Sequence, residues 1–169
     1  FMPVLIRPTR LRRWKVGEQG ESVGFQIRAM TLDDYESVLA LWQATEGMGL
    51  SAADSREAMA RYLARNPGLS LVAFSPQGEL VGAVLCGHDG RRGLLHHLAV
   101  ESSYRGQGLG KALVERCLAG LAAEGIDKCH LFVYARNQSG RAFWQVTGWY
   151  ERPELVLMSK DISHHESSR

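Results

Sequence analysis

The sequence predicts an α/β (α+β) fold: a mixed, mostly antiparallel sheet flanked by helices on both faces, in the order β-α-α-β-β-β-α-β-α-β. Three observations predict it. The chain has 169 residues, 45% of them apolar, enough for one packed domain. Three strand-like segments follow one another between residues 69 and 100 with hairpin signals between them. Helical and strand patterns then alternate to residue 159, which is how a parallel crossover is built.

Taken in order, Phe25 to Ala29 alternates as a strand. Thr31 and Asp34 form a capping signature ahead of the helical stripe Tyr35, Val38, Leu39, Leu41 and Trp42. Residues 46–53 read as a loop, and Asp54 is expected to cap a second helix carrying Met59, Tyr62 and Leu63 until Asn66-Pro67-Gly68 stops it. Leu69 to Ser75, Glu79 to Gly87 and Arg92 to Val100 are strands, separated by Pro76-Gln77-Gly78 and by Asp89-Gly90. Residues 108–124 place Leu109, Leu113, Cys117 and Leu121 on one helical face and end at Gly125. Asp127 to Ala135 is predicted as a strand, Asn137 to Thr147 as a helix, and Tyr150 to Ser159 as a last strand that Pro153 interrupts.

Charge divides the chain. The formal net charge is +2, but residues 1–24 hold five basic side chains against two acidic ones, so the body is slightly acidic. That head, with Pro3, Pro8 and no sustained period, reads as a flexible N-terminal extension; residues 25–160 form the folded domain and 161–169 a polar tail. Phe1 ahead of Met2 reads as a cloning remnant or the end of an upstream extension. The apolar patch Met2 to Ile6 is too short for a secretory core, so export is not expected. The near-neutral balance excludes duplex nucleic acid as the main partner. Apolar runs such as Leu80 to Cys86 fall far short of the ~20 residues of a membrane span. Cys86, Cys117 and Cys129 show no metal-binding spacing, which suits a reducing, cytoplasmic compartment and no metal.

The segment richest in chemistry is Tyr104-Arg105-Gly106-Gln107-Gly108-Leu109-Gly110-Lys111, between a strand and a helix. Alternate glycines let backbone N–H groups approach an anion, the helix start adds unpaired donors, and Arg105 and Lys111 add charge. Arg105 stands where a P-loop needs its first glycine, and Ala112 where it needs Ser or Thr. Lys111 also replaces the third small residue of a dinucleotide fingerprint. By itself the loop reads equally as a diphosphate site or as a turn without a ligand.

Arg105, Gly108 and Gly110, preceded by the strand Leu-His-His-Leu-Ala-Val, resemble the coenzyme A motif [R/Q]xxGx[G/A] of the GNAT superfamily of N-acetyltransferases. Asn137 to Gly148 is similar in outline to a second family signature, and the resemblance spans roughly residues 25–160. It implies acetyl-CoA as co-substrate, with no metal, and direct transfer of the acetyl group to a primary amine of a small molecule or peptide. Pantetheine would bond to the backbone of Leu98, Ala99 and Val100 in a wedge of the sheet. The pyrophosphate would rest on the N–H groups of Arg105, Gly106, Gln107, Gly108, Leu109 and Gly110, with Lys111 beside it and Asn137 and Trp144 completing the cofactor site. The backbone N–H of Leu98 or its neighbour would hold the oxyanion, a role commonly worth ~3 kcal/mol.

Two catalytic side chains are expected. Strict alternation sends only one of His96 and His97 to the cleft; His96 shares parity with Leu98 and Val100 and resembles in position a histidine of the family's serotonin N-acetyltransferase branch, which makes it the expected base, with His97 as the alternative. The family's usual tyrosine acid falls at Trp144, which cannot donate a proton usefully, so Tyr134 is the expected acid, with Tyr104, solvent or the substrate's own proton as alternatives. Trp42, Met48, Leu50 and Tyr62 are candidates for an apolar acceptor wall, and Glu46 or Asp54 for attracting a cationic amine. Trp144 also leaves a second reading: a non-catalytic acetyl-CoA-binding or sensing module of the same fold. The partners are then an amine acceptor and, as a further option, a second copy in a homodimer.

Overall fold

The computed structural model describes residues 24–162. The basic head lies outside them except for Gly24, as does the polar tail except for Asp161 and Ile162. Two compact units divide the chain, the first ending at Tyr134 and the second beginning at Ala135.

The first unit carries the expected mixed sheet. Its strands are β1 (Gln26–Ala29), β2 (Leu71–Phe74), β3 (Leu80–His88), β4 (Gly93–Val100) and β5 (Cys129–Leu131), lying side by side in that order. The first four pair antiparallel and β4 pairs with β5 in parallel. Parallel pairing needs a crossover, which α3 (Leu109–Ala123) supplies. The chain between β1 and β2 holds α1 (Tyr35–Gln43) and α2 (Arg56–Arg65).

Both faces of β3 are covered, so its seven inner residues are all buried. Val38, Leu41 and Trp42 of α1 and Met59 of α2 pack on Val72, Ala83 and Leu85. On the opposite face Leu113 meets Gly82, and Leu121 meets Gly93. Burying each of these larger apolar side chains contributes about 1.5–3 kcal/mol.

The caps hold with one reassignment. Thr31 and Asp34 form the expected capping box around the 3-10 turn Leu32–Asp34. Asp34 also accepts from both terminal nitrogens, Nη1 and Nη2, of the Arg28 guanidinium at 2.8 Å. This pairing, opposed by burial, holds its carboxyl below the usual value. The cap of α2, however, is Ser55, whose hydroxyl accepts from the N–H of Ala58. Asp54 ends the preceding 3-10 turn, Ala52–Asp54, and is buried.

The second unit contains α4 (Gln138–Val146), and no strand forms over residues 150–159. Pro153 withholds a ladder donor, and the Leu155 N–H bonds back to the Arg152 carbonyl at 3.1 Å, which bends the segment instead of extending it. β5 is likewise shorter than the predicted 127–135. No helix among the described residues is long and apolar enough to cross a membrane.

Candidate active site

The glycine-rich loop follows β4 and a 3-10 turn, Ser102–Tyr104. Gly106 and Gly108 have φ of 73° and 84°, a left-handed backbone that explains glycine there, and the space where each Cβ would stand is open. Gly108 is the N-cap of α3 and supplies no side-chain acceptor. The Ala112 N–H is bonded to the Gly108 carbonyl at 3.0 Å, so Leu109, Gly110 and Lys111 precede the first carbonyl the helix offers. The buried Leu109 side chain anchors this helix start. Arg105 donates through Nε to the Val100 carbonyl at 2.9 Å, while Lys111 lies 3.7 Å from Glu115 on the exposed side of α3.

β4 is irregular where the site requires it. Ala83 pairs with Ala99 and Leu85 with His96, so Val84 alone faces both His97 and Leu98. This β-bulge gives His97 a φ of 53°, the one positive value outside glycine among the described residues. The parallel ladder to β5 ends at the Leu95–Leu131 pair. From His96 to Val100, β4 therefore keeps β3 on one side and has no ladder partner from β5 on the other. The sheet thus parts where the family resemblance implies a wedge, alongside Leu98, Ala99 and Val100.

Next to this stretch lies a cavity of about 300 Å³, with Gly49, Ser51, Asp54, Tyr62, His96 and His97 among its lining and Ala53, Ala58, Met59 and Leu85 as its apolar part. Both histidines reach it, contrary to the strict alternation expected from sequence, because the bulge breaks the parity of β4. His97 Nε2 lies 2.8 Å from Asp54 Oδ1. The other Asp54 oxygen accepts the Ser51 N–H at 2.9 Å. His96 stacks edge-on to Tyr62, with ring centroids 6.3 Å apart. Burial, with His97 beside it, lowers its imidazole pKa below the ordinary value, and Asp54 only partly opposes this. Tyr62 has a buried hydroxyl without a hydrogen-bond partner among the described residues, and burial raises its pKa.

The remaining candidates separate clearly. Tyr134 is 53% exposed, and its hydroxyl lies against Gly49, itself a lining residue. Tyr104 instead packs edge-on to Phe25 at 5.7 Å. Trp42 is fully buried, and its Nε1–H donates to the His97 carbonyl at 2.9 Å, so it belongs to the core and not to an acceptor wall. Glu46 is exposed and does not line the cavity. In the second unit Asn137 caps α4, accepting the Gly140 N–H at 3.0 Å, and Trp144 packs on Phe143 and Trp149. Asp54 as the partner of His97 was the main feature hidden from sequence reasoning. Two adjacent histidines inside an apolar strand were the available signal, since a bulge is what lets neighbours share a side.

Comparison with known proteins agrees with this geometry. The family model described as "Acetyltransferase (GNAT) family" matches residues 35–149, more than half of the chain. An acetyltransferase of Pectobacterium atrosepticum is 36% identical over 129 residues, covering 76% of this chain and 86% of the relative. Among solved structures, Ard1 from Thermoplasma volcanium superposes with a TM-score of 0.65 at 20% identity, covering 74% of this chain and 82% of that one. PaiA N-acetyltransferase from Thermoplasma acidophilum, solved in complex with coenzyme A, gives 0.63 at 22%, covering 73% and 88%. The matched family model and the curated relative together make this chain an enzyme, an acyltransferase belonging to the GNAT acetyltransferase family.

Proposed function

We propose that the enzyme transfers the acetyl group of acetyl-CoA directly to a primary amine held in the cavity beside β4. The observation that carries this reading is the meeting of an unladdered stretch of β4 with a cavity lined by two histidines. The backbone of Leu98, Ala99 and Val100 offers donors and acceptors to an amide-rich pantetheine arm, much as an added strand would use them. The open cradle at Gly106 and Gly108 and the uncapped start of α3 suit a pyrophosphate, with Arg105 and Lys111 nearby in sequence as counter-charges.

In this mechanism His96 takes the proton of the arriving ammonium so that the free amine attacks the thioester carbonyl, and the proton the nitrogen then loses on acylation replaces the one given to the thiolate. Its lowered pKa keeps the imidazole neutral, hence able to accept, at neutral pH. The Leu98 N–H receives the charge that develops on the carbonyl oxygen of the thioester. Tyr134, against Gly49, returns a proton to the departing thiolate in place of the tyrosine that Trp144 replaces.

The lining also speaks to the acceptor. Asp54 is its one carboxylate, four of its residues are Ala53, Ala58, Met59 and Leu85, and no lysine or arginine is among the described lining residues. That chemistry favours an amine on an apolar or peptide-like stem over a free amino acid, whose carboxylate would lack a counter-charge. The test is thiol release from acetyl-CoA with alkylamines, peptides whose only free group is an α- or ε-amine, and free amino acids. The first two groups are expected to turn over faster. Absence of thiol release with every amine would overturn the reading.

A further inference from the structure

We propose that His97 receives the acceptor amine through its Nδ1 atom, and that Asp54 and Trp42 are the positioning residues that hold it ready. The proposal rests on the acetyl-transfer reading above and adds to it the residue that orients the acceptor.

A side chain with a Cβ is costly at a φ of 53°, and such a conformation persists only where its surroundings over-determine it. At His97 they do. Its carbonyl accepts from the Nε1–H of the fully buried Trp42 at 2.9 Å, and the two rings lie 4.9 Å apart. Its Nε2 is 2.8 Å from Asp54 Oδ1. Asp54 is fixed in turn: Oδ2 accepts the Ser51 N–H, and its backbone carbonyl accepts the Tyr35 hydroxyl at 2.8 Å. Helix α1, the 3-10 turn at residues 52–54 and strand β4 thus converge on one imidazole at the cavity wall.

Chemistry then limits what this imidazole can do. A carboxylate only accepts, so the proton between the pair is donated by His97 Nε2. In the tautomer that carries its proton on Nε2, the lone pair is on Nδ1. An amine that donates one N–H to Nδ1 has its position set, and the Asp54 charge behind the ring favours the cationic form as it arrives. His96, neutral and next in sequence, remains free to take the proton. The two histidines therefore divide the work: His97 holds the amine and His96 deprotonates it.

Two substitutions separate this from a merely structural role. In Asp54→Asn the amide oxygen can still accept the Ser51 N–H, while the amide N–H₂ faces Nε2 and reverses the tautomer, so Nδ1 becomes a donor. In His97→Asn the left-handed backbone is kept by a residue that tolerates it, and the ring is lost. With the fastest acceptor of the amine series, both variants are expected to raise KM for the amine at least tenfold and to leave KM for acetyl-CoA within twofold. Trp42→Phe, which frees the His97 carbonyl, should shift the amine KM in the same direction.

An amine KM within twofold of wild type in both asparagine variants would overturn the proposal. So would a loss confined to kcat, which would assign His97 to proton transfer. If the wild type releases no thiol with any amine, the acetyl-transfer reading fails separately. Calorimetric titration of n-butylamine into the coenzyme A complex then decides: weaker binding to His97→Asn supports the proposal, and equal or undetectable binding to wild type and variant overturns it.

Discussion

His96 shows how a single side chain takes its chemistry from its surroundings. Its imidazole is half-buried at the cavity, faced by His97 and Asp54 and edge-on to Tyr62. Burial is the main cause of its lowered pKa. Activity that needs the neutral ring should therefore fall on the acid side with a midpoint below the ordinary imidazole value of about 6.5. His96→Ala is expected to lower kcat about 10²–10⁴-fold and to remove that acid limb, read from kcat against pH. The same shift affects folding. As pH falls through the ordinary imidazole range, the unfolded chain takes up this proton before the folded chain does, so stability declines there. Asp34 acts similarly at lower pH: its carboxyl is held low chiefly by Arg28, so the stability it contributes is present above the ordinary aspartate value and is lost as pH falls from there through the lowered folded value. Arg28→Ala should cost about 1 kcal/mol by chemical denaturation, a figure reduced because water already screens the partly exposed guanidinium. That His96 would reach the cavity could be read from its strand position; that His97 would reach it too could not. Nor could the partner of His97, since Asp54 lies 43 residues away and local rules already gave it a capping role.

Among the elements, the turn from β4 into α3 was the most legible. Its glycines carry their own explanation: two left-handed backbones and a helix start left without a side-chain cap. Gly108→Glu forces a side chain into that backbone, at about 1–2 kcal/mol, and sets a carboxylate where the pyrophosphate is proposed to rest. We expect a rise of more than tenfold in KM for acetyl-CoA, little change in KM for the amine, and a lower Tm by thermal melting. Helices α1, α2 and α3 and the three consecutive strands lie close to their predicted spans because apolar period and caps act over a few residues. The last strand was misjudged. Its alternating apolar residues were visible, but Val156 and Met158 are 83% and 87% exposed, and the turn at Arg152 to Leu155 outweighs the pattern. The β4 bulge left only a faint local signal, the adjacent pair His96 and His97, since it depends on what β3 and α1 present to it.

For the whole molecule, ligand linkage offers the plainest check. Acetyl-CoA at 100 times its Kd should stabilise the folded state by about 2.7 kcal/mol, seen as a rise of several degrees in Tm. ATP and NAD should give a smaller shift, because the loop departs from both nucleotide patterns at Arg105, Lys111 and Ala112. An equal shift with ATP would refute the coenzyme assignment. The sequence by itself determined the mixed α/β class, the crossover from β4 through α3 to β5 and the glycine-rich turn, because period, caps and backbone freedom are near-neighbour physics; the family was carried by the resemblance of its motifs at Arg105–Gly110 and Asn137–Gly148. Only the tertiary structure decided that both histidines reach one cavity, that Asp54 holds His97, and that β4 and β5 part after Leu95. Those outcomes depend on which buried donors and acceptors from distant segments satisfy one another, and pairing of that kind is settled when the core closes.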